Sequence, residues 1–246
     1  MRRIDPVAAA GFASAAGVYD RARPSYPHEA IDWLVARTGL GPGRTVADVG
    51  AGTGKLTRLL VPTGARVLAV EPVAEMRGLI GVAEVLYGTA EELPLEDATA
   101  DVVTVAQAFH WFDHDRALPE LHRVLRPGGH LALFWNMRDL TNPLQRGVED
   151  LLAGHRGNLT PQREGRWRAP LAASPLFGEE ERAEFRYEQA FTTEDLCERV
   201  ASTSFVAAMP AEERAALLAR VRALTVGLEE PFAFPYETEV QLFPRV

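Results

Sequence analysis

The sequence predicts an α/β fold with a doubly wound, mostly parallel sheet, and three observations carry this prediction. A short apolar run at residues 45–49 leads directly into three alternating glycines and then into a helical pattern. Strand-like and helix-like segments then alternate as far as residue 135. The run at 101–105 is nearly continuous in apolar content, which is typical of a strand covered on both faces. Together these features describe successive β–α units.

The elements follow in order along the chain. A first helix is predicted over 27–38, because Pro27 suits a first turn and Gly39 ends the apolar stripe. The next predicted strands are 45–49, 66–70, 83–87, 101–105 and 130–135, with helices over 54–61, 73–80 and 114–125. Pro119 is expected to kink the last of these helices or to mark its start.

The alternation stops after residue 139, where the chain becomes polar and rich in Pro and Gly. A helical patch near 143–154, a strand near 182–188, a helical pattern over 193–222 and a final alternating strand over 237–243 are predicted. We expect one domain over 1–246, in which 139–178 and 192–230 are cap insertions.

Composition limits the class of partner. With 47% hydrophobic residues the chain can bury a full core, and its net charge of −8 argues against bulk attraction to nucleic acid. The single cysteine, Cys197, excludes an internal disulfide, fits a reducing compartment and is interpreted as a small buried apolar residue. No run reaches the roughly 18 apolar residues of a membrane span. We therefore expect a cytoplasmic monomer or homodimer with neither a membrane nor a nucleic-acid partner.

The glycine loop distinguishes between three classes of nucleotide ligand. A phosphate-binding loop would need glycine at Val49 and Ser or Thr at Leu56, and a dinucleotide loop would need its third glycine at Lys55. An acid just before the turn would repel a pyrophosphate but accept a hydrogen bond from an ammonium group. The loop therefore favours an adenosine ligand with an amino-acid head, and a NAD-dependent oxidoreductase is the alternative. The acid and the glycines of the loop are Asp48, Gly50, Gly52 and Gly54.

A second acid, Glu71, ends the strand at 66–70. In nucleotide-binding sheets, a carboxylate roughly 20 residues beyond the glycines holds the ribose hydroxyls. Glu71 has this spacing, so we predict that it holds the ribose.

The glycine loop followed by Glu71-Pro72 resembles the class I S-adenosylmethionine-dependent methyltransferases. The small-molecule branch that includes trans-aconitate methyltransferases is the most similar. Further matches follow in the family's order at residues 19–27, 88–94, 108–112, 123–129 and 135–139. The resemblance implies S-adenosylmethionine as cofactor, a small-molecule substrate and a seven-stranded Rossmann-like sheet whose last strand is antiparallel. It also implies that the N-terminal segment folds over the cofactor as a lid.

The resemblance extends to individual cofactor contacts. It implies that Met76 packs on the adenine, with helix core as the alternative, and that Ala90 and Glu91 reach the adenine edge, Glu91 being preferred to Glu92 by motif position. Tyr19 would bond the methionine carboxylate. Gln107 should border the methionine part, because ligands lie outside the carboxyl ends of such strands. The predicted cofactor-binding residues are Tyr19, Asp48, Gly50, Ala51, Gly52, Gly54, Glu71, Pro72, Met76, Ala90, Glu91 and Gln107.

The aromatic run at 109–114 is interpreted as a substrate wall, with His110 as a proton acceptor or positioning residue. The alternative is packing under the cap with Trp111 buried. His110 and His114 have a metal-ligand spacing if helical, but no third ligand is evident, so no metal is predicted. The predicted substrate-binding residues are Arg23, His110, Trp111, Asn136 and Arg138.

Two of these predicted substrate contacts have structural alternatives. Residues 19–26 would otherwise form a surface turn set by Pro24 and Pro27. Arg138 would otherwise form a surface ion pair with Asp139, although a planar guanidinium suits a carboxylate substrate.

These features predict methyl transfer to a small molecule. A carboxylate oxygen is the favoured acceptor, because it is already ionised and needs no general base, whereas a phenol or an amine would need His110 to take a proton. N- or C-methylation, and a module that holds the cofactor without turnover, are the alternatives. RNA modification is disfavoured by the acidic balance.

Overall fold

The computed structural model describes residues 23–155 and 168–246, whose strands form one seven-stranded sheet in the order β3-β2-β1-β4-β5-β7-β6. Strands β1 to β5 pair in parallel, and β7 is antiparallel to both β5 and β6. This confirms the doubly wound α/β fold with an antiparallel last strand. The strands are β1 Thr45–Val49, β2 Arg66–Val70, β3 Glu84–Leu86, β4 Ala100–Ala106, β5 Leu125–Arg138, β6 Glu181–Phe191 and β7 Phe232–Pro244.

The helices agree with the predicted positions more closely than with the predicted lengths. The predicted helix over 73–80 is only one turn long, because Gly78 ends it and Gly81 takes a left-handed conformation with φ +61°. The described helices are α1 His28–Thr38, α2 Lys55–Leu60, α3 Ala74–Arg77, α4 His114–Val124, α5 Pro143–Ala153, α6 Arg168–Ala172, α7 Thr193–Ala201, α8 Ser204–Ala207 and α9 Ala211–Leu224.

Two predicted boundaries were wrong, whereas the helix predicted over 114–125 is confirmed as α4. Pro119 lies inside α4, so the alternative in which it marks the start of this helix is excluded. Strand β5 begins at Leu125, where it pairs with Ala100 before a register shift, and not at His130. The helical pattern over 193–222 is three helices, and Pro210 caps the last of them.

The core covers both faces of the sheet. Val103 packs on the face covered by α4, and Val102 packs on the face covered by α1 and α2, as the two-residue period of a strand requires. A third apolar cluster joins α5, α7 and α9 to the start of β7. Because Arg138 at the end of β5 pairs with Tyr236, this third cluster stands at the carboxyl end of the parallel strands. The cap helices therefore border the edge of the sheet where ligands bind in such folds.

Over residues 23–155 and 168–246, no helix is both long and apolar enough to cross a membrane.

Candidate functional site

A cleft of about 1770 Å³ opens at the carboxyl ends of β1, β2, β3 and β4. Single ligand pockets occupy about 300–1000 Å³, so this cleft has room for a cofactor and an acceptor together. Its walls come from the loops that follow these strands, from Asn136 on β5, from residues 23–26 and from Arg199 on α7. The cleft thus lies at the edge of the sheet where the sequence predicts the site.

The glycine loop between β1 and α2 turns back onto the end of β2. The amides of Gly50 and Ala51 both donate to the carbonyl of Val70, at 2.9 and 3.1 Å. Gly50 has φ +69°, and a Cβ atom there would lie 2.9 Å from the Cβ of Ala108, so only glycine fits. A Cβ on Gly52 would meet no atom within 4 Å, which leaves the backbone there open to a ligand.

Asp48 lies beneath the loop, fully buried, and does not border the cleft. Its carboxylate accepts hydrogen bonds from the Thr57 and Thr104 hydroxyls, at 2.6 and 3.0 Å. Burial raises the pKa of this carboxyl to about 6. The predicted direct contact between Asp48 and an ammonium group is therefore corrected: Asp48 ties α2 to β1 and β4 and acts on the loop from below.

Glu71 lines the cleft with its carboxylate held in a fixed orientation. One oxygen accepts from the Gly52 amide and the other from the Val73 amide, both at 2.8 Å. Burial raises the pKa of Glu71, against the lowering effect of these two amides. The Arg77 guanidinium donates to the backbone carbonyls of Glu71 and Pro72. A carboxylate fixed in this way still has lone pairs for hydroxyl donors.

The predicted adenine contacts border the same part of the cleft. Met76 and Ala90 are both buried and both line it. The Glu91 carboxylate accepts from the Asp113 amide at 2.9 Å, so this side chain bridges the loops after β3 and β4. Glu92 is exposed beside it.

Gln107 follows β4 in a left-handed conformation, with φ +56°. Such angles are uncommon for residues other than glycine and cluster at ligand sites. The Gln107 amide donates to the carbonyl of Phe134 at 3.0 Å, and its side chain donates to the carbonyl of Asn136 at 3.3 Å. The turn is thus fixed by β5, and Gln107 faces the cleft.

The aromatic run forms a 3₁₀ turn, Phe109–Trp111, before α4 begins at His114. His110 and His114 are therefore not on one helix, and the His114 Nε2–H donates to the carbonyl of Phe109 at 3.0 Å. Trp111 borders the cleft with 41% of its surface exposed, so the alternative in which it is buried is wrong. In the part of the chain that the structure describes, no group of three or more His, Cys, Asp or Glu residues could hold a metal ion.

His110 packs against Trp111 and Trp135, with ring centroids 4.7 and 5.7 Å away. Its Nδ1 atom is buried and has no hydrogen-bond partner among the described residues. Burial, together with the charges of Arg23 and His114, lowers the pKa of His110 to about 4. The imidazole is therefore neutral at neutral pH.

Residues 23–26 border the cleft through Arg23, Pro24 and Tyr26, and they are fixed at several points. The Asn136 amide and the Tyr187 hydroxyl both donate to the carbonyl of Ser25, at 2.8 and 2.6 Å. Arg23 borders the cleft and donates to the carbonyl of Ser202, just after α7, at 2.9 Å. The alternative of a simple surface turn is wrong for these four residues. Tyr19 lies outside the described residues.

Arg138 does not border the cleft, which corrects its predicted role in substrate binding. Its guanidinium pairs with Glu149 on α5, and burial and the charge of Arg199 lower its pKa to about 10. Arg199 borders the cleft instead. Sequence reasoning missed Arg199, because its helical segment carries no local motif and only the packing of α7 brings it to the site.

The chain is similar to known methyltransferases over most of its length. A family model described as a methyltransferase domain matches residues 47–133. An uncharacterized methyltransferase of Mycobacterium tuberculosis is 42% identical over 236 residues, which is 92% of each chain. The chain belongs to the S-adenosylmethionine-dependent methyltransferases.

Two further comparisons agree with the methyltransferase family and its fold. The solved structure of a proposed type II methyltransferase from Anaeromyxobacter dehalogenans superposes with a TM-score of 0.65 at 26% identity, covering 89% of this chain and 97% of the other. The ubiquinone/menaquinone biosynthesis C-methyltransferase of Escherichia coli is 35% identical over 126 residues, which is 46% of this chain and 50% of the other.

The cleft residues of the methyltransferase fit the cofactor that the family implies. Gly52 leaves open space at the backbone, and Glu71 presents a fixed acceptor for hydroxyl donors. The acids Glu75, Glu91 and Glu92 border the same side of the cleft and would repel a pyrophosphate. The oxidoreductase alternative is therefore set aside.

Proposed function

We propose that this methyltransferase binds S-adenosylmethionine along the β1, β2 and β4 loops and methylates a carboxylate oxygen of a small-molecule acceptor. Methyl transfer follows from membership of the methyltransferase family, whereas the carboxylate acceptor is what we propose. The observation that carries it is the neutral His110 in a cleft bordered by Arg23. The resemblance to the trans-aconitate branch supports the same substrate class.

Each cofactor-facing residue has a separate task in this proposal. Glu71 accepts the ribose hydroxyls, Met76 and Ala90 offer apolar surface to the adenine, and Gly52 lets the ligand approach the main chain. Asp48 keeps the loop in place from below through Thr57 and Thr104. When bound, S-adenosylmethionine supplies an electrophilic methyl group on a positively charged sulfur.

His110 is poorly suited to general-base catalysis at neutral pH. An efficient base has a pKa near the working pH, whereas the pKa of His110 is about 4. A carboxylate acceptor is ionised at pH 7 and needs no base. His110 can then act as a neutral hydrogen-bonding group that orients the acceptor through Nδ1.

Orientation is the main contribution of the protein to the reaction. Holding two reactants in a productive geometry supplies up to about 7–11 kcal/mol. Residues 23–26, fixed by Asn136 and Tyr187, border the cleft and position the acceptor near Trp111 and Gln107.

A second candidate is methylation at carbon. The similarity to the Escherichia coli C-methyltransferase favours it, although that similarity covers only 46% of this chain. A carbon acceptor must lose a proton, so this candidate predicts an acceptor that is itself acidic near neutral pH.

The test combines binding with product analysis. Calorimetric titration with S-adenosylhomocysteine, S-adenosylmethionine and NAD should show micromolar binding of the first two and none of NAD. Labelled methyl transfer is then measured on a panel of carboxylic acids, trans-aconitate included, each matched with the alcohol and amine of the same skeleton. A carboxylate product is a methyl ester that releases labelled methanol in alkali. A label that is stable to alkali would overturn the carboxylate proposal, and binding without turnover on every acceptor would favour a non-catalytic module.

A further inference from the structure

Arg199 on α7 has no hydrogen-bond partner for most of its guanidinium. The Nε and Nη1 atoms are buried and make no hydrogen bond within the described ranges. The residue nevertheless borders the cleft. Its helix neighbours Leu196, Cys197 and Val200 are buried in the third apolar cluster, and they fix the helix from which Arg199 projects.

The surroundings of Arg199 increase the cost of this arrangement. Arg138 lies close enough for the charge of Arg199 to lower its pKa, and the carboxylate of Glu149 already pairs with Arg138. Removing a charged group from water without a partner is strongly unfavourable, and proteins seldom retain such a group unless it has a function. A ligand that carries negative charge would satisfy the buried donors.

We propose that Arg199 binds an oxyanionic group of the methyl acceptor that is not the atom methylated. A planar guanidinium matches a carboxylate or a phosphate with two parallel hydrogen bonds. An oxygen held in such a pair is less nucleophilic and points at the arginine, so the reactive atom must be elsewhere on the acceptor. The acceptor therefore has two parts, an anchoring anion at Arg199 and a reactive group near Gln107 and His110.

The distribution of charge in the cleft places this anion on the acceptor side. The acids that border the cleft all follow the parallel strands β2, β3 and β4, and none comes from the cap; they are Glu71, Glu75, Glu91, Glu92, Asp113 and Asp115. Arg199 comes from the cap, where Arg23 also reaches the end of α7 at Ser202. The rival occupant is the carboxylate of the cofactor, and the experiment separates the two.

This inference rests on the proposed function, and the test distinguishes failure of the one from failure of the other. Arg199→Met removes the charged guanidinium and keeps an unbranched stem that reaches to about the position of Nε. Arg222→Met is the matched control, because Arg222 is exposed on α9 and pairs with Glu194 of the same cap. Affinity for S-adenosylhomocysteine is measured first in wild type, in both of these variants and in Arg199→Lys. Malonate and inorganic phosphate are then titrated, as simple oxyanions, into each protein saturated with S-adenosylhomocysteine.

We expect Arg199→Met to lose at least about tenfold in malonate affinity, the value of a lost charge-assisted hydrogen bond. Its affinity for S-adenosylhomocysteine should stay within about twofold of wild type. Its melting temperature should not fall, because the variant removes two buried guanidinium nitrogens that have no partner among the described residues. Arg222→Met should bind malonate like wild type, and Arg199→Lys should recover part of the binding.

Three outcomes would overturn the assignment. If wild type binds neither oxyanion, or if wild type and Arg199→Met bind them equally well, Arg199 is not an anion site. A tenfold loss of S-adenosylhomocysteine affinity in Arg199→Met would assign the arginine to the cofactor. A lower melting temperature together with unchanged anion binding would make Arg199 structural. Failure of wild type to bind S-adenosylhomocysteine would instead count against the proposed function.

Discussion

The two sides of the cleft differ in how completely their polar groups are satisfied. One side, formed by the loops after β1 and β2, is the proposed nucleotide side. There Glu71 accepts two backbone hydrogen bonds, and Asp48 accepts two from threonine hydroxyls. On the acceptor side, His110 Nδ1 and two nitrogens of Arg199 are buried without partners among the described residues. The nucleotide side is therefore preorganised, whereas the acceptor side has polar groups that a ligand must complete.

The difference has a functional meaning. A cofactor that is the same in every reaction of the family can be met by a rigid wall, and rigidity reduces the entropy cost of binding. An acceptor is selected by the groups that it satisfies, because an analogue that lacks the matching group leaves buried donors unpaired. We therefore expect substitutions on the nucleotide side to change stability and cofactor affinity, and substitutions on the acceptor side to change acceptor use.

The largest effect is expected from Gly50→Ala, which tests the rigidity of the nucleotide side. The positive φ of Gly50 costs an L-residue about 1–2 kcal/mol. The added Cβ would lie 2.9 Å from the Cβ of Ala108, which adds about 1–3 kcal/mol of overpacking. The free energy of unfolding should fall by about 2–5 kcal/mol in urea titrations. Gly43→Ala is the control, because Gly43 has φ +82° but open space around it. Equal losses in the two variants would mean that the loop can move away from β4.

Asp48→Asn tests the buried carboxyl below the loop through the pH dependence of stability. The pKa of Asp48 is raised from its ordinary value of 3.8 to about 6. Between these values the folded chain holds more protons than the unfolded chain, so the contribution of Asp48 to stability is lost as pH rises from about 4 to 6. The difference between the two pKa values is equivalent to about 3 kcal/mol.

The asparagine variant does not titrate and keeps the shape of the side chain. Its stability relative to wild type should therefore rise by about 3 kcal/mol between pH 4 and pH 7. Urea unfolding of both proteins at the two pH values measures this difference. If the two proteins differ by the same free energy of unfolding at both pH values, Asp48 is ionised in the folded protein throughout this range.

Glu71→Ala tests the fixed acceptor on the nucleotide side. Hydrogen bonds to a charged group contribute about 1.5–3 kcal/mol each, so the affinity for S-adenosylhomocysteine should fall at least about tenfold. Glu84→Ala is the matched control, because Glu84 is an exposed acid on the neighbouring strand, paired with Arg66. Calorimetry gives both affinities. An unchanged affinity in Glu71→Ala would remove Glu71 from the ribose.

His110→Asn should have the smallest effect and tests the acceptor side. Because the pKa of His110 is about 4, the histidine is neutral from pH 6 to pH 8. The variant should therefore lower turnover by the same factor across this range, less than about tenfold for one neutral hydrogen bond. A wild-type rise in turnover near pH 6.5 that disappears in the variant would show that His110 titrates as a base.

The sequence predicted the nucleotide side better than the acceptor side. The bounds of β1 and β2 were predicted without error, and Glu71 and Met76 do line the cleft, because the spacing of a strand–turn–helix unit determines where these residues lie. Asp48 was the exception. Its position in the strand was correct, but the direction of its carboxylate depended on Thr57 and on Thr104 of another strand.

The sequence by itself determined the fold class, the glycine loop and the positions of β1 to β4 along the chain, because all three depend on local periodicity and on the backbone freedom of glycine. Only the tertiary structure decided that Arg199, and not Arg138, borders the cleft. Arg138 is the last residue of β5, yet it pairs with Glu149 on α5 and does not border the cleft. Arg199, far along the chain in a segment without a motif, is brought to the cleft by the packing of α7 against α9 and β6. Side-chain partners across such distances are set by packing, and the spacing of residues along the chain does not encode them.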